Sequence, residues 1–345
     1  MAIASREGPA TVADVARVAG VSTATVSRVL NSPEVVAEAT RERVLAAVGA
    51  LGYLPNVAAR RLAGAETATL GLLLPELSGP FFSELLAGVE EAARAAGRHL
   101  LVSATEPDDT DAPLVPPIDP RSVDGTIVLP HAVDGRLVDQ MVRSDRPVVL
   151  VERTHPDLPT VSVDGAAGAA AAVRHLVVDH GARRVACFAG PEDAEASRIR
   201  EIAYATTLVA AGLEPDPALL VRGSWSEVDG RRLVERLLAA GRRFDALFAV
   251  NDETAIGAIR GLERAGLRVP DDVRVVGFDD IPLAGWMRPA LTTVAAPPRL
   301  LGRRPAELLI DRIDGRPTPA TVRIPASLVV RATCGCSHQE EARTT

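Results

Sequence analysis

The chain of 345 residues contains no lysine, so each of its 38 basic side chains is an arginine. It also contains only three cysteines, which do not make a disulfide framework. Cys334 and Cys336 flank a single glycine but lack two further ligands at the spacing of a zinc site. We therefore expect neither a disulfide-stabilised fold nor a metal site.

Long apolar runs are also missing from the sequence. The first ten residues lack the hydrophobic run of a signal peptide, and no later stretch is long and apolar enough to cross a bilayer. The sequence thus predicts a cytoplasmic protein without a membrane partner.

Motifs typical of enzymes are absent as well. We find no Gly-x-Ser-x-Gly elbow, no phosphate-binding loop and no metal-binding helix motif. Residues 163–168 are rich in glycine, but their spacing differs from the dinucleotide-binding fingerprint. We therefore predict that the protein has no catalytic residues and no cofactor.

Charge is distributed unevenly along the chain. The net charge is −7, yet residues 1–64 carry 7 arginines against 5 acidic residues, a balance of +2 that leaves −9 for the remainder. A mildly basic head on an acidic body is typical of a protein whose head binds DNA and whose body has another role.

Residues 11–31 contain two apolar patterns with helical spacing, separated by Gly20, which suits a tight turn with positive φ. The first apolar face consists of Val12, Val15, Ala16 and Val18. Ser22 can cap a second helix, whose apolar face consists of Val26, Val29 and Leu30. Two short helices joined in this way form either a DNA-binding helix-turn-helix or a plain helical hairpin.

A succession of spaced motifs accompanies these helices. The motifs are Thr11-Val12-x-Asp14-Val15-Ala16, Ala19-Gly20-Val21-Ser22, Thr25-Val26-Ser27-Arg28-Val29-Leu30-Asn31, Thr40-Arg41-x-Arg43-Val44, Leu51-Gly52-Tyr53-x-Pro55-Asn56 and Ala58-Ala59-x-x-Leu62. Together they resemble the lactose-repressor (LacI/GalR) family of bacterial transcription regulators. The resemblance continues to about residue 331 and implies a DNA-binding domain followed by an effector-binding domain.

The resemblance implies which side chains of the second helix meet DNA. Bases are expected to be read by Thr23, Ala24 and Arg28, because arginine can pair with guanine and methyl groups suit the thymine methyl. Arg28 alternatively binds phosphate or remains solvated. Phosphates are expected to be bound by Thr11, Ser22, Thr25, Ser27 and Asn31, which would position the domain without specifying sequence.

Residues 55–64 have few apolar anchors, and so short an isolated helix is marginal in water. In the resembled family this segment is a hinge that folds in the DNA minor groove, where an apolar wedge kinks the duplex. We therefore assign Asn56, Ala59 and Leu62 to the minor groove, with a passive linker as the alternative.

The third helix is expected at residues 38–51, with Val44, Leu45 and Val48 on one face and an end at Gly52. The family usually carries a capping serine at the position of Ala37, and its absence should cost the helix about 1 kcal/mol.

From residue 69 onward, continuous apolar strands alternate with helical patterns. Strands are expected at 70–75, 99–105, 125–130 and 147–152, then at 185–190, 218–221, 246–250 and 273–278, with an amphipathic helix at 83–97. Such strands indicate parallel sheets covered on both faces. The fold class is thus a small all-α helix-turn-helix domain followed by a two-lobed α/β domain like that of periplasmic binding proteins.

Polar and aromatic side chains follow several of these strands, at the carboxyl ends where open α/β sheets bind ligands. Carboxylates, amides and arginines can hydrogen-bond sugar hydroxyls, and aromatic rings can stack on a sugar ring. By resemblance, the effector is expected to contact Arg200, Asn251 and Asp279, followed by Glu152, Trp225 and Phe82. Trp225 alternatively packs in the core, and Asp279 alternatively forms a turn.

Three positions near this site depart from the family pattern. Glu152 replaces a more usual Asp, Ala203 replaces a Gly, and Ala296 replaces a polar residue that is often Gln. We therefore predict a reshaped pocket with one polar contact fewer. Residues 106–123 also contain five prolines where the family has a surface helix, so we predict an irregular loop beside the expected dimer interface.

The predicted domains are a disordered N-terminus (1–10), the helix-turn-helix domain (11–54), a hinge helix and linker (55–68), the effector-binding and dimerisation domain (69–331) and a flexible tail (332–345). We predict a homodimeric repressor that binds a palindromic double-stranded DNA operator and responds to a small molecule, such as a sugar. The alternatives are a sugar-binding transport-type protein and a regulator that needs a corepressor other than a sugar.

Overall fold

The computed structural model describes residues 10–31, 35–53, 67–104, 118–129, 135–144 and 146–336. The chain divides into two compact units, Met1–Thr67 and Ala68–Thr345. Within the described ranges, no helix combines the length and apolarity that crossing a membrane requires.

In the described part of the first unit, short helices pack around a small apolar core. They are α1 (Val12–Ala19), α2 (Thr23–Asn31) and α3 (Glu38–Leu51). Gly20 ends α1 with a φ of 64°, which glycine adopts without steric cost. The Ser22 hydroxyl accepts a hydrogen bond from the Thr25 N–H at 3.1 Å, so the expected cap of α2 is present. The core includes Val15, Ala19, Val26, Val29, Val44 and Ala47.

Two apolar side chains lie outside the faces on which they were expected. Val18 and Leu45 are 51% and 50% exposed, so the expectation that they face the core is wrong. Ala19 and Ala47 are buried instead, because they follow Val15 and Val44 by four and three residues on a helix of about 3.6 residues per turn.

The second unit alternates strands and helices. Its strands are β1 (Thr69–Leu74), β2 (His99–Ala104), β3 (Gly125–Val128), β4 (Val148–Val151), β5 (Thr160–Val163), β6 (Val185–Ala189), β7 (Leu220–Arg222), β8 (Ala246–Ala249), β9 (Arg274–Val276), β10 (Thr293–Ala295), β11 (Thr321–Ile324) and β12 (Ser327–Val329). Its helices are α4 (Pro80–Ala95), α5 (Gly135–Val142), α6 (Gly165–Arg174), α7 (Glu195–Ala210), α8 (Glu227–Ala239), α9 (Asp252–Arg264), α10 (Pro282–Trp286) and α11 (Pro298–Ile313).

These strands form two parallel sheets and one antiparallel pair. The first sheet has the order β11-β5-β4-β3-β1-β2, the second β7-β6-β8-β9, and β10 pairs with β12. The chain passes between the sheets after β5, between β9 and β11, and again after β11. It therefore ends beside the second sheet, where the Val275 N–H donates to the Thr333 carbonyl at 2.9 Å. We call each parallel sheet with its helices a lobe.

Each lobe contains a helix crossing that only glycine permits. In the first lobe α4 crosses α11, and a Cβ at Gly302 would clash with the backbone carbonyl of Leu85. In the second lobe α8 crosses α9, and a Cβ at Gly257 would clash with the carbonyl of Glu227. In both lobes, a glycine thus allows two helix backbones to come into contact.

Every strand expected from the sequence is present, with bounds that agree within two residues. The strands β5, β10, β11 and β12 were not expected, because three or four residues that include polar side chains carry too little periodicity. The helix expected at 83–97 begins earlier, at Pro80, since proline fits the first turn of a helix.

The proline-rich segment is described only from Ile118 onward. That part contains a 3-10 turn, Pro120–Ser122, and both Ile118 and Val123 are buried in the first lobe. The irregular loop was predicted for 106–123, and its first part, 106–117, lies outside the described residues.

Candidate DNA-binding surface and effector cleft

The residues expected to read bases lie on the solvent-exposed side of α2. Thr23, Ala24 and Arg28 are all exposed, whereas Val26 and Val29 are buried on the opposite side. Ala24 and Arg28 lie about one turn apart, and Thr23 is next to Ala24 at the start of the helix. We call Thr23, Ala24 and Arg28 the reading face.

Three of the five residues expected to bind phosphate already take part in the hydrogen bonds that cap helices. The hydroxyls of Ser22 and Thr25 are 2.9 Å apart and share a hydrogen bond. Thr11 caps α1: its hydroxyl donates to Asp14 Oδ2 at 2.7 Å, and Asp14 Oδ2 also accepts from the Thr11 N–H at 3.1 Å. A phosphate at Thr11 would therefore compete with Asp14 for the hydroxyl proton. Sequence reasoning had not assigned this capping role to Thr11.

The other expected DNA contacts lie at the edge of the described region or beyond it. Ser27 is exposed, and Asn31 is the last residue of α2. The expected minor-groove residues Asn56, Ala59 and Leu62 lie outside the described residues.

The residues expected to bind the effector come from both lobes of the second unit. Phe82 lies in the first turn of α4, Glu152 follows β4, Arg200 lies on α7, Trp225 precedes α8, Asn251 directly precedes α9, and Asp279 follows β9. The positions after β4 and β9, and the start of α9 after β8, are at carboxyl ends of parallel strands, as expected for an α/β ligand site.

Arg200 is a buried cation in the second lobe, with 5% of its surface exposed. Its Nη1 donates to the Val250 carbonyl and lies 3.5 Å from Asp279 Oδ1. Its guanidinium carbon lies 3.7 Å from the centre of the Phe278 ring, in a cation–π contact. The Nε atom is buried and has no hydrogen-bond partner among the described residues. A buried donor without a partner is costly, so Arg200 is suited to bind an acceptor from outside the chain.

Two carboxyl groups share the environment of Arg200. Burial raises the pKa of Asp279 to about 7, although the Arg200 charge opposes the shift and Glu152 adds to it. Burial likewise raises the pKa of Glu152, against the Arg200 charge and a hydrogen bond from the Val163 N–H. The site therefore combines one permanent cation with two carboxyls that are costly to ionise.

Asn251 and Trp225 are joined by a direct contact. The Asn251 side-chain amide donates to the Trp225 carbonyl at 2.7 Å, while Asn251 Oδ1 is buried without a partner among the described residues. The Trp225 ring lies over Gly190, where a Cβ would come within 2.6 Å of the ring. Trp225 is half-buried, so one part of the ring packs on the chain and another part remains accessible.

Three of these residues have strained backbones. Glu152, Trp225 and Asp279 adopt φ values of 52°, 70° and 108°, which cost a non-glycine residue on the order of 1–3 kcal/mol. Such strain is concentrated at binding and active sites, where it fixes side chains in a functional orientation.

Comparisons with known proteins agree with this architecture. Residues 11–56 match the model of bacterial regulatory proteins of the lacI family, and residues 173–334 match a periplasmic binding protein-like domain. The HTH-type transcriptional repressor PurR of Photobacterium profundum is 35% identical over 312 residues, covering 89% of this chain and 93% of that protein.

The chain belongs to the LacI family of bacterial regulatory proteins. A crystal structure of the lac repressor dimer bound to operator and the anti-inducer ONPF matches 95% of this chain and 99% of that chain, with a TM-score of 0.83 and 30% identity. A complex of the transcriptional regulator CelR with cellobiose matches 94% and 99%, with a TM-score of 0.69 and 32% identity.

Membership in the LacI family confirms the predicted class of function. The protein is a DNA-binding transcription regulator, and its partners are operator DNA and a small-molecule effector. A transport-type protein would not account for the helix-turn-helix match over residues 11–56. The expectation that the chain is not an enzyme is also confirmed, since its relatives are transcriptional repressors.

Sequence reasoning missed one residue beside the candidate effector site. Glu253 lies on α9 of the second lobe, and its carboxyl contacts the first lobe close to Gly79 and Phe81. Burial, reinforced by the charge of Glu76, raises the pKa of Glu253 to about 7. The signal available in the sequence was its position two residues after Asn251, close to the carboxyl end of an expected strand.

The two alanines that depart from the family pattern both lie in the apolar core. Ala203 is 7% exposed and Ala296 is 1% exposed. Neither offers a polar atom beyond its backbone, so the polar atoms of the site come from the side chains described above.

Proposed function

We propose that this regulator is a repressor that binds a palindromic operator as a homodimer. One helix-turn-helix covers a half-site, and a two-fold dimer matches the symmetry of a palindrome. The similarity to the lac repressor dimer on its operator supports this arrangement. The reading face of α2 would enter the major groove, and Asn56, Ala59 and Leu62 would enter the minor groove between the half-sites.

Within each half-site, Arg28 is the residue with the greatest capacity for base discrimination. A guanidinium can form two hydrogen bonds with guanine, whereas Thr23 and Ala24 offer methyl groups to thymine. Thr11, Ser22, Thr25, Ser27 and Asn31 would position the helix on the phosphate backbone.

We further propose that the effector is a sugar bound by Arg200, Asn251, Asp279, Glu152, Trp225 and Phe82. The observation that carries this proposal is Arg200, which is buried between carboxyls and a carbonyl and whose Nε atom has no hydrogen-bond partner among the described residues. Arg200 and Asn251 can bind hydroxyl groups, while Trp225 can stack on a ring face. The similarity to the CelR–cellobiose complex supports this class of ligand.

The effector would act by binding the two arrangements of the lobes with different affinities. Only such a difference can change the affinity for operator DNA, and the coupling is reciprocal. Glu253 and Phe81 join the lobes, so their contact is a place where lobe closure would be sensed. A ligand that strengthens operator binding would identify the alternative, a corepressor.

Effector binding is tested by following the thermal unfolding of the full chain with a panel of mono- and disaccharides. A sugar that binds the native state raises the midpoint in proportion to its concentration over Kd. The expected result is stabilisation by one sugar class that is lost in Asn251→Ala. Equal stabilisation of Asn251→Ala, or no stabilisation by any sugar, would contradict the proposed site or the proposed ligand class.

A further inference from the structure

Two histidines and two cysteines that the effector site does not use lie together in the second lobe. They are His175, His180, Cys334 and Cys336, and one ligand-type atom from each lies within 4.8 Å of all the others. His175 and Cys334 are buried, whereas His180 and Cys336 are half-buried.

An irregular helix end brings the histidines together. After α6 the backbone continues as a π-helical turn, His175–Asp179, in which the His180 N–H donates to the His175 carbonyl at 3.2 Å. Residues five apart on a regular α-helix point about 140° away from each other, whereas the wider π turn aligns them. The two rings are perpendicular with centres 4.6 Å apart, and their Nε2 atoms are 3.2 Å apart.

A tight turn brings the cysteines to the same place. Gly335 has a φ of 94°, and its N–H donates to the Ala332 carbonyl at 3.0 Å. Cys336 Sγ lies 3.3 Å from His180 Nε2 and 3.8 Å from His175 Nε2. The Cys334 thiol donates weakly to the Arg331 carbonyl at 3.4 Å, a contact that an ionised sulfur would release.

These distances fit a tetrahedral metal centre. With Zn–N near 2.0–2.1 Å and Zn–S near 2.3 Å, tetrahedral angles give separations of about 3.4 Å for N···N and about 3.6 Å for N···S. The observed N···N distance is 3.2 Å, and the observed N···S distances are 3.3 and 3.8 Å. An ion at the centre would therefore require only small movements of these three side chains.

The hydrogen bonding of His175 favours the same role. Its Nδ1 lies 2.7 Å from Asp179 Oδ2, so the neutral ring carries its proton on Nδ1 and a lone pair on Nε2. That Nε2 is the atom aimed at His180 and Cys336. A carboxylate that orients a histidine in this way is the usual support of a metal-ligating imidazole.

We propose that His175 Nε2, His180 Nε2, Cys334 Sγ and Cys336 Sγ bind one zinc ion. Two nitrogen and two sulfur donors in tetrahedral positions favour zinc among the common divalent metals. The two thiols would each lose a proton to solvent, and the two thiolates would balance the charge of Zn²⁺. Because all four positions are filled by protein, the site is structural rather than catalytic.

Such an ion would fasten the C-terminal end of the chain to the second lobe. His175 and Cys336 are 161 residues apart, and a metal that joins so long a loop restricts the unfolded chain strongly. The same separation explains why the sequence indicated no metal site: the two histidines are close in sequence and so are the two cysteines, but 154 or more residues separate the pairs.

The proposal is tested on the full chain without an affinity tag, reduced and stripped of metal. Zinc content after incubation with Zn²⁺ and dialysis should reach one ion per chain. Co²⁺ should give the visible bands of a tetrahedral centre together with thiolate-to-cobalt charge transfer. Zinc should also raise the midpoint of thermal unfolding.

Variants locate the site. Cys336→Ser and His180→Asn each remove one half-buried ligand. Asp179→Asn removes only the carboxylate that orients His175 and should lower zinc affinity by about 10- to 100-fold. Each ligand variant should lower zinc affinity by more than that. His99→Asn, an exposed histidine on β2, is the matched control and should bind as the unaltered chain does. Zinc content well below one ion per chain, absence of the charge-transfer band, or unchanged affinity in both ligand variants would overturn the proposal. If Cys336→Ser does not fold, the zinc affinity of His180→Asn alone tests the proposal.

Discussion

The two binding surfaces of this regulator are built in opposite ways. The reading face of α2 exposes Thr23, Ala24 and Arg28 to solvent, and its helix is held by local caps and a small apolar core. The proposed effector site buries Arg200, Asn251 and Asp279. Among the described residues, Arg200 Nε and Asn251 Oδ1 have no hydrogen-bond partner, and Asp279 has a positive φ. An exposed surface suits a large, charged partner such as DNA, whereas a buried one suits a small ligand that must replace water completely.

This difference also decides what each side chain contributes to stability. Exposed residues of the reading face can be replaced with little effect on folding. Arg200 is different, because removing one member of a buried charged group leaves the others uncompensated. Function and folding should therefore change together in variants of the proposed effector site, whereas function alone should change in variants of the reading face.

The largest effect is expected for Arg200→Met in the effector site. Asp279 and Glu152 would lose their buried cation, which we expect to cost about 3–5 kcal/mol of unfolding free energy and to abolish the response to effector. Denaturant unfolding followed by tryptophan fluorescence reports this unit, since Trp225 and Trp286 both lie in it. Arg236→Met, an exposed arginine on α8, is the control. Equal stability of the two variants would contradict the buried role of Arg200.

The second effect is expected for Arg28→Ala on the reading face. Loss of a bidentate contact to guanine costs about 1–3 kcal/mol, so operator affinity should fall by about 5- to 150-fold. Effector affinity and tryptophan-detected unfolding should not change. The matched control is Arg43→Ala, an exposed arginine on α3. If Arg28→Ala weakens binding equally on all DNA sequences, Arg28 binds phosphate instead of a base.

The third effect is a pH dependence confined to the effector unit. The pKa of Asp279 is raised to about 7 by burial, so the native state holds its proton more tightly than the unfolded chain does. The free energy of unfolding should therefore fall by up to about 1.4 kcal/mol per pH unit as the pH rises from about 4 to about 8. In Asp279→Asn the free energy of unfolding should depend less steeply on pH. An unchanged slope in this variant would assign the pH dependence to another group, with Glu253 the next to test through Glu253→Gln.

The smallest effect concerns the first turn of α3. Ala37 provides no side-chain cap for α3, whereas α1 begins with a capping box in which the side chains of Thr11 and Asp14 each accept from the other residue's backbone N–H. Ala37→Ser should therefore stabilise the DNA-binding unit by about 0.5–1 kcal/mol. Hydrogen exchange of the first amides of α3 measures this gain, and Ala37→Gly is the control without a hydroxyl. Exchange rates that do not slow in Ala37→Ser would show that water already satisfies these amides.

The same contrast explains what the sequence could predict. The helix-turn-helix is local, so Gly20, Ser22 and the apolar spacing defined it within about twenty residues. The longer apolar strands were equally predictable, since the apolar run that identifies each strand lies within the strand itself. The short strands β10 and β12 pair across more than thirty residues of chain, and nothing local indicates them.

Part of the proposed effector site could be located from the sequence, but its geometry could not. Strand ends pointed to Glu152, Asn251 and Asp279, because parallel sheets present their carboxyl ends to ligands. The contact between Glu253 and Phe81 joins distant segments, and so does the cluster of His175, His180, Cys334 and Cys336. Such contacts depend on tertiary packing, and no short stretch of sequence indicates them.

The central claim is that a ligand in the buried site controls DNA binding by the exposed helix. It is tested most directly by titrating the protein onto a fluorescent palindromic operator from its own upstream DNA, with and without the sugar that stabilises the chain. We expect specific binding that weakens at least about tenfold when that sugar is present, and no such change in Arg200→Met. Absence of specific binding, or a sugar that binds the chain and leaves operator affinity unchanged, would contradict it.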